Sequence, residues 1–405
     1  TLSALSPLMR MYDNRITVSL RQGMEYPFDE LIERRDTGCV KWDEMPDADM
    51  IPLWVADMDF AVAPAIQEAI RKRAAHPVFG YTYVQDDYYE AVISWFLRRH
   101  HWTIQREWIL YTTGVVPAMS CAVKALTMPG EKVLILSPDY NCFFSSIRNN
   151  GCEVAESILR REGNSFVVDW NDFEAKCVDE KTTVFLLCNP HNPTGRVWTR
   201  KELERMRDIC HQHHVRIVSD EIHCELIMPG YQFCPMGTVD PDAIILNSPS
   251  KSFNIAGLMM ANIICQDAAT RRRINRAINI NEVCDVNPFA PEAVKAAYRE
   301  SEDWMDALNE YIWGNYQALC QFFANELPLY KVCKLEGTYL VWVDVSACCS
   351  DTATYCDRIL KEARVWINPG TMYGTESGKG YIRINIACPR SRLMEALRRL
   401  AQHFH

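Results

Sequence analysis

The tetrapeptide Ser248-Pro249-Ser250-Lys251 closes the apolar run Ala243-Ile244-Ile245-Leu246-Asn247. A buried strand is a costly place to deliver a lone ammonium unless the amine gives up its charge in a covalent bond. Lys251 therefore reads as a Schiff-base lysine. Two segments upstream end in matching chemistry. Thr182–Cys188 runs into Asn189-Pro190-His191-Asn192-Pro193-Thr194-Gly195, and Arg216–Ser219 runs into Asp220-Glu221-Ile222-His223. Each is short, apolar, rich in β-branched residues and ended by a turn signal or a charge, as a buried parallel strand reads. All three deliver polar groups at carboxyl ends, where open α/β sheets bind ligands.

An aspartate at a strand end can simply cap the next helix. A pyridoxal phosphate ring, however, needs a carboxylate at its pyridinium nitrogen, a donor at its phenolic oxygen and a lysine at its aldehyde carbon. Asp220, Asn192 and Lys251 supply the three, each at the end of one of these runs. A phosphate cradle is also present: Trp108–Thr113 leads to Gly114-Val115-Val116-Pro117 and a helical pattern through Lys124. A glycine turn before a helix start offers free N–H groups and the positive end of the helix dipole to an anion.

With these motifs in place, the chain resembles the fold-type-I pyridoxal phosphate enzymes. Within them it is similar to the MalY/PatB branch of cystathionine β-lyases and C–S lyases. The resemblance rests on Val40-Lys41-Trp42-Asp43, Leu53 through Phe60, Phe79-Gly80-Tyr81, Gly114 through Pro117, Asn189 through Trp198, Ser219 through His223, Ser248 through Gly257, Glu336 through Tyr339, and Arg383-Ile384-Asn385. The Asn-Pro-x-Asn-Pro-Thr-Gly and Ser-x-Ser-Lys motifs are shared with aminotransferases in general. The segments Trp54–Phe60, Ser219–His223 and Ser250–Gly257 point to the lyase branch.

The resemblance implies further roles. Tyr140 stacks on the cofactor ring and stands with Lys251 and Asp220 among the catalytic residues. His223 lies near the phenolic oxygen, and Ser248 and Ser250 donate to the phosphate beside Gly114, Val115 and Val116. Arg383 pairs with the substrate carboxylate, where a planar fork suits a carboxylate better than lysine. Asn192 and the backbone of Ala56 line the same pocket. Many class I aminotransferases place an arginine eight residues after the lysine, but here that position is Met259. Tyr81, reaching from the neighbouring subunit of a homodimer with shared active sites, is the replacement donor.

The elements that must position these groups follow from strand–helix alternation. Units repeat from Ile51 to Asn287, implying a mostly parallel sheet covered on both faces. The expected fold is α/β: a large cofactor-binding domain over 51–290 with a seven-stranded sheet, and a smaller α+β domain formed by 11–50 with 291–405. A helical stretch from Pro291 to Phe323 leads to strands at Gly337–Asp344 and Gly380–Ile386. Thr1–Arg10 reads as foreign to the natural chain, with Met11 as its start.

Composition sets limits. The chain has 405 residues, 48% of them hydrophobic, a net charge of −9 and no basic stripe, which argues against nucleic acid as a partner. Arg271-Arg272-Arg273 reads as a solvated helix face. Seventeen cysteines, odd in number and without a Cys-x-x-Cys pair, read as reduced and place the protein in the cytoplasm. Cys210-His211-Gln212-His213-His214 sits in a last helical turn, where neighbouring histidines point to different faces, so no metal is expected. No apolar stretch reaches membrane-span length, and no membrane partner is expected.

Lysine as base and a protonated ring as electron sink serve two reactions equally. Loss of a thiolate from Cβ gives a lyase releasing pyruvate and ammonia. Return of the proton to the cofactor gives an aminotransferase. The lyase-branch resemblance favours β-elimination from L-cystathionine or a related cysteine S-conjugate.

Overall fold

The computed structural model describes residues 26–45 and 47–404. The reading of Thr1–Arg10, and residues 11–25 of the smaller unit, lie outside these.

Seven strands form the large sheet: β1 (Ile109–Thr112), β2 (Lys132–Ser137), β3 (Glu153–Ile158), β4 (Thr182–Cys188), β5 (Arg216–Asp220), β6 (Ile244–Asn247) and β7 (Ala261–Ile264). Their order is β1-β7-β6-β5-β4-β2-β3. All run parallel except β7, which is antiparallel to both neighbours. The apolar runs are continuous because both faces are covered. Along β2, Val133 and Ile135 enter one core while Leu134 and Leu136 enter the other; along β4, Val184 and Leu186 oppose Phe185 and Leu187. Helices α1 (Val115–Leu126) and α2 (Ala268–Ile280) close the first face, packing through Ala118, Ala122, Ile274 and Ile278.

A second sheet has four strands, Lys331–Val332 (β8), Leu340–Asp344 (β9), Asn368–Pro369 (β10) and Tyr381–Asn385 (β11), in the order β8-β9-β11-β10. The helical stretch expected from Pro291 to Phe323 is two helices, Ala290–Glu300 and Glu302–Glu326. They break at Ser301, whose φ of −125° leaves the helical range and whose hydroxyl donates back to the Ala296 carbonyl. Ile51–Pro52 pairs in parallel with Val365–Trp366, and Leu53 and Asp59 exchange backbone bonds with Trp366, Asn385 and Ala387. The segment from 51 to 60 is thus fastened to the small sheet while it reaches toward the large one.

Candidate active site

Five strands deliver the candidate groups at one edge of the large sheet: β1 leads to Gly114, β2 to Tyr140, β4 to Asn192, β5 ends at Asp220 and β6 leads to Lys251. Their register places Cys188 opposite Asp220, and Asp220 opposite Leu246, so the carboxylate sits centrally. The ends meet around a cavity of about 210 Å³ lined by Gly114, Val115, Val116, Tyr140, Asn192, Asp220, His223, Ser250, Lys251 and Ala56 among others.

The turn read as a phosphate cradle joins β1 to the start of α1. Gly114 caps α1 at φ 148°, a backbone conformation that belongs to glycine. The first-turn amides of Val115 and Val116 have no intrahelical acceptor, and Pro117 has no N–H to offer. Met259 also lines the cavity, as a neutral side chain. Ser250 lines it too. Ser248 does not: its hydroxyl donates to the Met260 carbonyl at 2.6 Å and accepts from the Ser250 amide, so its hydrogen is spent inside the loop rather than offered to a phosphate.

Burial dominates the electrostatics. The Asp220 carboxyl, which accepts the Ile222 amide at 3.1 Å, is pushed up to about 7 by desolvation, against the pull of that amide and of Lys251. Lys251 is lowered from its ordinary value, first by desolvation. His223 falls to about 3 from desolvation and from the Lys251 and Arg383 charges, so it is a neutral imidazole. A neutral amine is what a base or nucleophile requires. A carboxyl this reluctant to ionise calls for a cation against it.

Arg383 is anchored through β11. One terminal nitrogen donates to the Trp54 carbonyl at 2.7 Å, the other to Asn192 Oδ1 at 3.2 Å, and the guanidinium lies 4.6 Å from the Tyr373 ring centroid. Its Nε, like Nδ1 of His223, is buried without a hydrogen-bond partner among the described residues. Buried nitrogens without a partner, beside a glycine turn with free amides and a lysine amine that burial shifts toward its neutral form, fit a bound anionic ring compound of the pyridoxal phosphate type. Asp220 would hold the ring nitrogen, Asn192 the phenolic oxygen, and Tyr140 with Ile222 the ring faces.

Tyr81 is 99% exposed and apart from this cavity within one subunit. Ala56 meets the cavity through a carbonyl that accepts the Lys251 amine at 2.7 Å. Sequence reasoning did not single out Thr113, Cys188, Ile222, Ala256 or Met260, which line the same cavity, nor Tyr339, whose hydroxyl reaches Ala56. Ile222 had a usable signal, its place two residues after Asp220. In the histidine cluster His211 pairs with Asp240 at 2.9 Å and His213 faces Glu174; His211, Asp240 and Asp242 bring their ligand atoms within 4.8 Å of one another. Every cysteine is a free thiol, and no described helix is long and apolar enough to cross a membrane.

The profile of the aminotransferase class I and II family matches residues 48–400. Cystathionine beta-lyase PatB of Bacillus subtilis is 38% identical over 92% of this chain and 98% of its own length. Protein MalY of Escherichia coli is 33% identical over 91% and 96%. The crystal structure of cystalysin from Treponema denticola, which contains a pyridoxal 5'-phosphate cofactor, superposes with a TM-score of 0.90 at 34% identity, over 94% of this chain and 98% of that one. The chain belongs to the aminotransferase class I and II family, as a pyridoxal phosphate-dependent member of its MalY/PatB-type C–S lyase branch.

Proposed function

We propose that this enzyme cleaves the Cβ–S bond of L-cystathionine or a related cysteine S-conjugate by α,β-elimination. The observation that carries the reading is the meeting of the Lys251 amine, which burial shifts toward its neutral form, the reluctant Asp220 carboxyl and the Gly114–Val116 turn in one cavity. The lyase names of the relatives support the outcome. Pyridoxal phosphate, when bound, supplies an electron sink for the pair left at Cα. Arg383 pairs with the substrate carboxylate and, through its bond to Asn192, couples substrate and cofactor ends of the cavity. The Lys251 amine takes the Cα proton. The Cβ–S bond breaks with its electron pair leaving on sulfur as a thiolate. The released 2-aminoacrylate reacts with water to give pyruvate and ammonia.

A homodimer with shared sites is part of the reading. Val78, Phe79, Tyr81 and Tyr83 form an exposed run, with Val78 at 61% and Tyr83 at 76% exposure. A two-fold interface would cover it and carry Tyr81 to the partner's phosphate cradle. Seventeen free thiols support a cytoplasmic location.

Incubation with L-cystathionine and no keto acid should release pyruvate, ammonia and homocysteine in equal amounts. Turnover that stops after one cycle and resumes only with an added keto acid would show an aminotransferase instead.

A further inference from the structure

The backbone from Trp54 to Met58, which meets the cavity at Ala56, has each carbonyl held by side-chain donors. Trp54 O receives Arg383 and Asn368, Val55 O receives Asn385, Asp57 O receives Asn385 and Lys41, and Met58 O receives Arg34 and Asn254. The Ala56 carbonyl has two donors of a different kind: the Lys251 amine at 2.7 Å and the Tyr339 hydroxyl at 3.0 Å. Tyr339 is the permanent one, because Lys251 must leave when its amine enters a covalent bond.

Tyr339 is built to stay. It is fully buried, its ring stands edge-on to His223 with centroids 6.1 Å apart, and Thr338, at φ 70°, turns the chain so that it precedes β9. Burial raises its hydroxyl well above the ordinary tyrosine value, so it remains an O–H donor. Two lone pairs on Ala56 O then have two assigned partners. An amine tied to Cε and donating one N–H to a fixed acceptor has its remaining hydrogen and lone pair confined to directions away from that carbonyl.

We propose that Tyr339 is a positioning residue for the reacting amine: it holds the Ala56 carbonyl where Lys251 docks whenever it is free, and so aims the amine's lone pair into the cavity. This rests on the reading of Lys251 as the reacting amine. Without the hydroxyl, both carbonyl lone pairs face the lysine, which gains an alternative placement and a better acceptor for its charged form.

The test uses the holoenzyme of Tyr339→Phe, with cofactor content measured for every sample. We expect kcat to fall roughly fivefold, the size of one hydrogen bond, with KM for cystathionine little changed. The isotope effect of a Cα-deuterated substrate on kcat should rise, and the acid limb of the pH profile should move up by roughly half to one pH unit. After the cofactor is stripped, the rate of its recapture, followed by visible absorbance, should show the same shift in limb. This arm needs no turnover, so it still tests Tyr339 if wild type yields no pyruvate from cystathionine and the lyase reading fails. A variant carrying 3-fluorotyrosine at position 339 keeps the hydroxyl and the shape, and its limb should stay at or below that of wild type. An unchanged limb and isotope effect in Tyr339→Phe, or a fluorotyrosine limb raised as far as that of phenylalanine, would overturn the proposal.

Discussion

Asp220→Asn should make the cofactor-free protein more resistant to unfolding at alkaline pH while disabling the enzyme. Burial lifts the Asp220 carboxyl from 3.8 to about 7. At about 1.4 kcal/mol per pH unit, that displacement is worth about 4 kcal/mol between the two protonation states. The sign follows from proton uptake. Between 3.8 and about 7 the folded chain keeps a proton at Asp220 that the unfolded chain has released, so stability falls as pH rises through that window and is fully lost above it. From pH 5 to pH 8 the wild type should therefore lose about 2 to 3 kcal/mol that the asparagine variant keeps. Glu221, which burial raises to about 8, is common to both proteins, so its effect largely cancels; only the minor part of its shift that comes from the Asp220 charge leaves with the substitution. The assay is urea unfolding of stripped protein at both pH values, at one fixed protein concentration because the stability of the proposed dimer would depend on it. A variant no more stable relative to wild type at pH 8 than at pH 5 would refute the claim that Asp220 is held as a costly carboxylate awaiting a cation.

In the holoenzyme, Asp220→Ala should cost more turnover than Asn192→Ala, whose lost hydrogen bond is worth about 1 kcal/mol; equal losses would misassign the ring nitrogen's partner. Arg383→Lys should raise KM more than it lowers kcat, since one ammonium cannot serve Trp54 O, Asn192 and a substrate carboxylate together. Gly114→Ala should weaken cofactor binding, measured by equilibrium titration, roughly tenfold, because φ 148° strains any side chain by about 1–3 kcal/mol. Tyr81→Phe and Lys251→Ala, each weak alone, should recover to about a quarter of wild type when refolded as a mixture, on the count that half the dimers are hybrids with one natural site. No recovery, with hybrids confirmed by mass spectrometry, would remove Tyr81 from the partner's site.

The strands that carry chemistry were legible because burial on both faces demands unbroken apolar runs, and each run ends in a polar motif. Thr182–Cys188 agrees residue for residue, and β5 and β6 differ from expectation by one residue at an end. The reversal of β7 was not legible, since strand direction leaves no mark in an apolar run. Nor was the break at Ser301, because apolar spacing on both sides keeps helical period and a single serine is a weak stop. Within the site, groups bonded through side chains were readable from their motifs. Ala56 was named through the resemblance, but its bond with the Tyr339 hydroxyl was not readable, since a backbone carbonyl has no residue code and the pair spans 283 positions. Ser248 carried a motif but turned inward, a choice made by the nearby Met260 carbonyl.

The bond from Lys251 to Ala56 joins segments attached to the two sheets. The lysine rides on the large sheet, while the segment bearing Ala56 is stitched to the small one through Leu53, Asp59 and Asn385. The covalent cycle proposed at the amine would therefore cut and remake a tie between them. Asn254, three residues beyond the lysine, grips the same segment with three bonds that do not involve the amine, to the Met58 amide and the Met58 and Phe60 carbonyls. A side chain with no chemistry of its own thus acts as the standing clamp that leaves its neighbour free to let go.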